Sequence, residues 1–329
     1  MRRVVFLFLS MGTFSLLTGA ETEPISPELA KVLNGIRKQV ESESVPTGSA
    51  AHPVVGAEQA SGKVLIFKPN SDWNDPASIL WEWHPSDSPQ IRPEHYRWFS
   101  HPDECKPVLG TSHLLMTASG NGVALVRLED KATLFYAYAD GNPHSAELLP
   151  DGNIVSVSSA GFFTVYAVPE TFTGPEVFSQ RYPIVGGHGM VWDSRSQRLW
   201  VLGYTELAAY RYNFDKEKPA FTKEYSLPLE GTLAEYGHDL YPIPGTHALF
   251  VTGVGIAVFD IPSRVLIPLS DKKRIKSISL SPDGKLIVLS PTVDWWSPTV
   301  SYLNIPLSPF AHREGAMFYK ARWWIPNVF

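Results

Sequence analysis

Short apolar runs separated by turn residues make up most of the chain after residue 53, and almost none of them has a helical period. Four stretches share one order of features: a polar or glycine-rich start, one apolar run, a turn and a second apolar run. They begin near Gly141, Gly187, Gly237 and Ile275. Repeats of about 40–50 residues that hold several short strands are typical of propeller blades. The pattern therefore predicts an all-β fold, a β-propeller.

The two ends of the repeat region are each incomplete. Val54–Gln59, Lys63–Phe67 and Ile79–Trp83 match the last three strands of the next repeat, whereas Met317–Trp324 has the pattern of a first strand without followers. Pairing of this C-terminal strand with the N-terminal blade would close the ring and leave no open sheet edge. The first strands predict six blades, with starts near Glu104, His144, His188, His238, Lys276 and Lys320.

The segment before the repeats has two parts. Residues 1–20 combine Met1-Arg2-Arg3, the apolar run Val4–Leu17 and a small-residue end, as a cleaved secretory signal peptide does. The run is shorter than the about 20 residues of a spanning helix. We therefore expect a periplasmic or secreted protein with no membrane span after cleavage, and no cysteine follows the cleavage site to carry a lipid anchor.

Residues 21–52 are predicted to hold a helix and a linker. Ser26 has the character of an N-cap, Pro27 suits the first helical position, and apolar residues follow at helical spacing up to Val40. The remaining residues, 53–329, are assigned to the propeller.

Composition narrows the classes of partner. The apolar content is 44% and the net charge is −5, which indicates a folded chain with a sizeable core. The 28 Lys and Arg residues form no basic stripe, so no nucleic-acid partner is expected. Cys105 is the only cysteine, so no intramolecular disulfide can form. We expect a monomer.

Three consecutive blades place a histidine where the first strand enters the central channel. His144, His188 and His238 would then face one another, and imidazole is a common ligand of Zn²⁺ and Mn²⁺. They are candidate metal ligands and candidate catalytic residues, because a bound ion can polarise a carbonyl or activate water. The alternative is structural: Asp193 and Asp239 are available to hold such histidines between blades.

Several charged and aromatic residues are candidate substrate contacts around the same channel. Glu104 aligns with His144 when Leu114 is set against Ile154, and it could serve as a ligand, a general base or an ion-pair partner of Lys106. Paired tryptophans in a loop suit stacking on sugar rings, or the capping of a blade. The predicted substrate contacts are Glu104, Lys106, Lys276, Trp295, Trp296, Lys320 and Arg322.

Several segments resemble an uncharacterised family of exported bacterial β-propeller proteins that is known only as a domain of unknown function. They are Glu104–Val108, Leu115–Gly120, Gly141–Asn153, His188–Asp193, His238–Pro242 and Tyr319–Trp323. The resemblance runs from about Val54 to Phe329 and implies the propeller fold without an activity. In architecture and channel histidines alone, the chain is also similar to β-propeller polysaccharide lyases such as oligogalacturonate lyase, which hold a divalent metal and cleave uronides by β-elimination.

These observations lead to two alternative functions. The first is an exported propeller that binds a saccharide, expected to be acidic, in its central funnel, with metal-assisted lyase or hydrolase chemistry. The second is a non-catalytic module that recognises a glycan or a protein, for which propellers serve as rigid scaffolds.

Overall fold

The computed structural model describes residues 25–326, and the predicted signal peptide lies outside this range. Within it the chain forms six antiparallel sheets of four strands each. The elements are helix α1 (Pro27–Val40), 3₁₀ turns Pro76–Ser78, Pro85–Asp87 and Pro93–Phe99, and strands β1 Val54–Glu58, β2 Lys63–Phe67, β3 Ile79–Trp83, β4 Pro102–Val108, β5 His113–Ala118, β6 Gly122–Arg127, β7 Thr133–Tyr138, β8 Pro143–Leu148, β9 Ile154–Ser158, β10 Phe162–Tyr166, β11 Ser179–Pro183, β12 Gly189–Asp193, β13 Arg198–Leu202, β14 Glu206–Tyr212, β15 Phe221–Pro228, β16 Asp239–Pro242, β17 Ala248–Thr252, β18 Ile256–Asp260, β19 Val265–Ser270, β20 Ser277–Leu280, β21 Leu286–Leu289, β22 Thr299–Tyr302, β23 Ser308–His312 and β24 Phe318–Trp323.

The ring closes as the sequence predicts, so the six-bladed β-propeller is confirmed. The first sheet has the order β24-β1-β2-β3, with Val54 opposite Trp323 and Gly56 opposite Ala321. Each of the other five sheets takes four consecutive strands, and their first strands are β4, β8, β12, β16 and β20. Closure therefore places the C-terminal strand β24 at the centre of the ring beside these five.

Two β-bulges decide which side chains reach the entrance of the channel. Pro102 pairs with Ala118 and Glu104 with Thr117, so Asp103 is the extra residue of β4. His144 is the extra residue of β8 in the same way. A bulged residue leaves the regular alternation of a strand and re-aims its side chain. Asp103 and His144 therefore occupy equivalent places in neighbouring blades.

This equivalence corrects the sequence alignment of Glu104 with His144. The connection between β4 and β5 covers residues 109–112, whereas the one between β8 and β9 covers 149–153 and is one residue longer. Setting Leu114 against Ile154 therefore shifts the inner strands by one position. Glu104 corresponds to Ser145, one step deeper in the channel.

Helix α1 lies at the far end of the ring from the channel entrance. Ser26 caps it by accepting a hydrogen bond from the Leu29 amide, at 3.1 Å. Its buried face packs on an apolar cluster that includes Leu280 and Leu286, which stand where β20 ends and β21 begins. Because the inner strands start at the entrance, this junction is at the opposite end. No helix within residues 25–326 is long and apolar enough to cross a membrane.

Candidate functional site

A pocket of about 470 Å³ opens at the end of the ring where the inner strands begin. It is lined by Gln59, His101, Asp103, Ser119, Asn142, His144, His188, Tyr204, His238, Lys276, Trp295 and Tyr319. The structure thus brings together the three predicted histidines, Lys276 and Trp295. We call this space the funnel pocket.

Four aromatic rings stack in a row along one wall of the funnel pocket. Tyr319 stacks on His144 with ring centroids 5.4 Å apart, His144 on His188 at 4.4 Å, and His188 on Tyr204 at 5.0 Å. The planes of His144 and His188 differ by only 12°. His238 meets His188 edge-on at 5.1 Å and 77°. The row joins the first, third and fourth blades through side chains that all face the pocket.

Hydrogen bonds assign the protons of the imidazoles. His188 Nδ1 lies 2.9 Å from the Gly186 carbonyl, which can only accept, so this nitrogen donates and Nε2 keeps a lone pair. His144 Nε2 accepts from the Asn142 amide at 3.1 Å, which leaves the proton on Nδ1. Burial is the main cause that lowers the pKa of all three histidines, and the pKa of His188 falls to about 4. The imidazoles are therefore neutral at pH 7.

This arrangement does not fit the predicted Zn²⁺ or Mn²⁺ site. Imidazole binds a metal through a lone pair in the plane of its ring, and the parallel planes of His144 and His188 keep their lone pairs from converging on one point. His238 Nε2 already faces Lys276 Nζ at 3.4 Å. Among residues 25–326 no group of three or more His, Cys, Asp or Glu has the geometry to hold a metal ion.

Asp103 is a buried carboxyl in the wall of the funnel pocket that is not among the predicted site residues. Its Oδ1 accepts a hydrogen bond from Gln59 at 3.0 Å and its Oδ2 one from Ser119 at 2.7 Å. His144 Nδ1 lies 3.6 Å from Oδ2 and has no hydrogen-bond partner within the described range. Burial raises the pKa of Asp103 to about 8, against the opposing hydrogen bond from Ser119. This carboxyl is therefore mostly protonated at pH 7.

Lys276 supplies a cation to the funnel pocket. No carboxylate of the described chain lies within 4.0 Å of its Nζ. Burial, together with the nearby Arg274 guanidinium, lowers the pKa of Lys276 to about 8. At pH 7 the ammonium is still mostly charged. Neutral imidazoles, a protonated Asp103 and a charged Lys276 together leave the pocket with a net positive charge.

Trp295 stands at the rim, and its ring is anchored at one edge. Its Nε1 donates to Gln59 Oε1 at 3.0 Å, while 49% of the residue remains exposed. Trp296 does not line the funnel pocket; its amide instead bonds the Val293 carbonyl at 2.9 Å and closes the loop. Of the two tryptophans, only Trp295 is placed to contact a ligand in this pocket.

The other predicted substrate contacts lie beneath the floor of the funnel pocket, fully buried. Arg322 bonds Glu104 at 2.7 and 2.9 Å and Asp239 at 2.7 and 3.0 Å. Lys320 Nζ lies 3.1 Å from one oxygen of each of the same carboxylates. Two cations are thus matched by two carboxylates. Their pairing holds the pKa of Glu104 and of Asp239 below the usual values despite burial.

A third layer follows further down the channel. Lys106 Nζ lies 2.6 Å from Glu147 and donates to the Met190 carbonyl at 2.7 Å. Glu104 and Lys106, two positions apart on β4, face the same side as strand alternation requires. The predicted ion pair between these two is therefore replaced by separate partners. Lys106 and Glu147 lie below the ion pairs of Arg322 and Lys320, so they do not contact a ligand in the funnel pocket directly.

The sequence also suggested that Asp193 and Asp239 hold the channel histidines between blades, and the structure gives both aspartates other partners. Asp193 bonds His247 at 2.8 Å, and Asp239 belongs to the ion pairs with Lys320 and Arg322. Neither aspartate holds a channel histidine. The residues that do contact them are Asp103, Asn142, Gly186, Lys276 and the neighbouring rings.

Comparison with known proteins gives a family but no activity. The model of a family of unknown function, DUF6528, matches residues 39–329. The chain belongs to this family. No curated protein matches it significantly.

Solved structures show only a distant likeness to this chain. A chain of the mitotic checkpoint complex is 12% identical, with a TM-score of 0.48, and the alignment covers 71% of this chain and 67% of that one. Hydrazine synthase of Kuenenia stuttgartiensis is 11% identical, with a TM-score of 0.43 and coverage of 63% and 64%. At this level the likeness carries no argument about the DUF6528 chain.

Proposed function

We propose that the funnel pocket binds a small acidic saccharide. The observation that carries this proposal is Lys276, a mostly charged ammonium in a pocket wall with no carboxylate of the described chain within 4.0 Å. Burying an ion without a counter-charge costs free energy. A carboxylate on the ligand would supply that counter-charge to Lys276. The volume of about 470 Å³ lies within the range typical of small-molecule sites.

The other walls support a sugar rather than a simple anion. Trp295 offers an exposed apolar face at the rim, which suits the C–H face of a pyranose ring. His188 Nε2 is an acceptor for a hydroxyl proton, and protonated Asp103 is a donor. The expected pose places the carboxylate on Lys276 and the ring against Trp295. Export to the periplasm or medium, expected from residues 1–20, would bring the pocket to extracellular glycans.

Calorimetric titration with matched ligands tests this proposal. Galacturonate and glucuronate are compared with galactose and glucose, which differ only in carrying a neutral hydroxymethyl group in place of the carboxylate. We expect the acids to bind more tightly, and Lys276→Gln to weaken their binding by about ten- to a hundredfold, the worth of a charge-assisted hydrogen bond. Lys273→Gln, an exposed lysine nearby, is the control and leaves the affinity unchanged. Equal binding of acid and neutral sugar would overturn the proposal.

Acid–base turnover is a second candidate, favoured by Asp103 beside neutral imidazoles. A carboxyl that is protonated at neutral pH can donate a proton, and a neutral imidazole can accept one. β-Elimination of a uronide needs both steps, and it produces an unsaturated sugar that absorbs ultraviolet light. Product absorbance in the native protein, lost in Asp103→Asn while binding persists, would support turnover. If the native protein binds the uronide but forms no product, turnover is excluded and the pocket serves recognition alone.

A further inference from the structure

We propose that the funnel pocket continues outward over the second blade as a groove that holds further units of an acidic oligosaccharide. This inference rests on the proposed function, since it assumes that the first sugar sits in the funnel pocket. Two hollows, of about 490 and 220 Å³, form the groove and share Trp98 and Tyr138. We call them the outer groove; its inner part is lined by Arg97, Trp98, Gly120, Asn121 and Tyr138.

The outer groove adjoins the funnel pocket through one turn. Ser119 lines the funnel pocket, and the next two residues of the same β5–β6 turn, Gly120 and Asn121, line the groove. Asn121 Oδ1 accepts a hydrogen bond at 2.9 Å from the amide of Asn142, which lines the funnel pocket. The two sites therefore share a wall.

Strand directions place both sites at the same end of the ring. β4 starts at the pocket, so β5 ends there, β6 starts there and β7 ends there with Tyr138. The connection that leads into β4 carries Arg97 and Trp98 along the same surface. A chain leaving the funnel pocket over this blade would meet the outer groove first.

The rings of the outer groove are arranged for contact with sugars. Trp98 and Tyr138 meet edge to face with centroids 5.3 Å apart, and 47% of Tyr138 is exposed. His95 stacks behind Trp98 at 3.7 Å and 13°, which fixes the indole plane. Apolar ring faces held in place beside polar groups are what sugar C–H surfaces require.

The inner part of the groove is also held rigid and carries a positive charge, whereas Glu176 in the lining of the outer part is paired with Arg92 at 3.4 Å. The Gly120 amide bonds the Ser100 carbonyl at 3.0 Å, and a Cβ at Gly120 would come within 2.4 Å of the Arg97 carbonyl. Only glycine allows the turn to pack this closely on the connection that bears Trp98. Arg97 is exposed, and no carboxylate within residues 25–326 lies within 4.0 Å of its guanidinium. The carboxylate of a second acidic sugar would supply the counter-charge of this guanidinium.

The dependence of affinity on oligosaccharide length tests the outer groove. Galacturonate and its oligomers up to the tetramer are titrated into the full chain. We expect the tetramer to bind more tightly than the monomer. Tyr138→Ala should weaken the tetramer by roughly three- to tenfold and leave the monomer unchanged, as the loss of one stacking contact predicts. Tyr138→Phe keeps the ring and should retain tetramer binding.

Phe214→Ala is the matched control, because Phe214 is an aromatic residue with 45% exposure at the opposite end of the ring. It should change neither affinity, and the melting temperature of each variant reports its folding. If the native protein binds monomer and tetramer with equal affinity, the proposed role of the outer groove is wrong, while that of the funnel pocket is unaffected. The same conclusion follows if Tyr138→Ala weakens the binding of monomer and tetramer equally. If no galacturonate species binds the native protein, the proposed function fails together with the groove.

Discussion

Arg322 and Glu104 form a two-point ion pair at the bottom of the funnel pocket, although 218 residues separate them in the chain. Arg322 stands on the strand that closes the ring, and Glu104 on the first strand of the next blade. The same guanidinium bonds Asp239 across the channel and lies 4.0 Å above the Tyr241 ring. The group that completes the ring therefore also closes the floor of the pocket.

Replacing Arg322 should destabilise the fold strongly. Arg322→Met leaves two buried carboxylates with Lys320 as their only cation, and breaking a buried pair from one side costs about 3–5 kcal/mol. Chemical denaturation measures the change in the free energy of unfolding. Lys131→Met, which removes a half-exposed pair with Asp87 at 3.0 Å, is the control and should cost less than about 1 kcal/mol. Similar losses in the two variants would refute the structural role of Arg322.

Stability should fall in mild acid because of the channel histidines. Burial lowers the pKa of His188 to about 4, so below about pH 6.5 the unfolded chain binds a proton there that the folded chain refuses. This stability is present above pH 6.5 and is lost as the pH falls toward 4. His188→Gln should reduce the slope of unfolding free energy against pH by up to about 1.4 kcal/mol per unit. Parallel curves for the native protein and the variant would show that His188 is not held neutral.

The affinity for a uronate should fall as the pH rises through 8. Burial lowers the pKa of Lys276 to about 8 and raises that of Asp103 to about 8. Crossing this pH removes one positive charge and adds one negative charge, and both changes oppose an anion. Calorimetry between pH 6 and 9 should show a slope of log affinity that approaches about −2 above pH 8. In the Lys276→Gln variant only the deprotonation of Asp103 remains to lower the affinity. A flat profile in the native protein would contradict the assignment of charges.

Divalent metals should not act through the channel histidines. The stacked rings of His144 and His188 do not direct lone pairs at one point, so Zn²⁺ or Mn²⁺ should shift the melting temperature equally in the native protein and in His188→Gln. Chelation should leave uronate binding unchanged. A metal-dependent rise in melting temperature that is lost in His188→Gln would instead support the metal site expected from the sequence.

The fold could be predicted from the sequence because each blade is a local pattern. The incomplete ends at Val54 and Met317 indicated closure, and the structure pairs Val54 with Trp323. Strand pairing of this kind depends on alternation and turn spacing, which are visible in one chain.

The site could be predicted only in part, because depth along the channel depends on single-residue shifts. His144, His188 and His238 converge since all three precede or begin inner strands. Asp103 was missed because the β8–β9 connection is one residue longer than its β4–β5 counterpart, so Glu104 took its place in the alignment. Gln59, Ser119 and Tyr204 reach the funnel pocket from loops, whose positions follow from packing between blades and leave no periodic signal.

The structure of the protein crystallised with galacturonate tests the central claim most directly. The account predicts density in the funnel pocket with the ligand carboxylate about 2.7–2.9 Å from Lys276 Nζ, as in other charge-assisted hydrogen bonds, and the sugar ring against Trp295. A uronate bound elsewhere on the ring, with the funnel pocket holding only water, would contradict it.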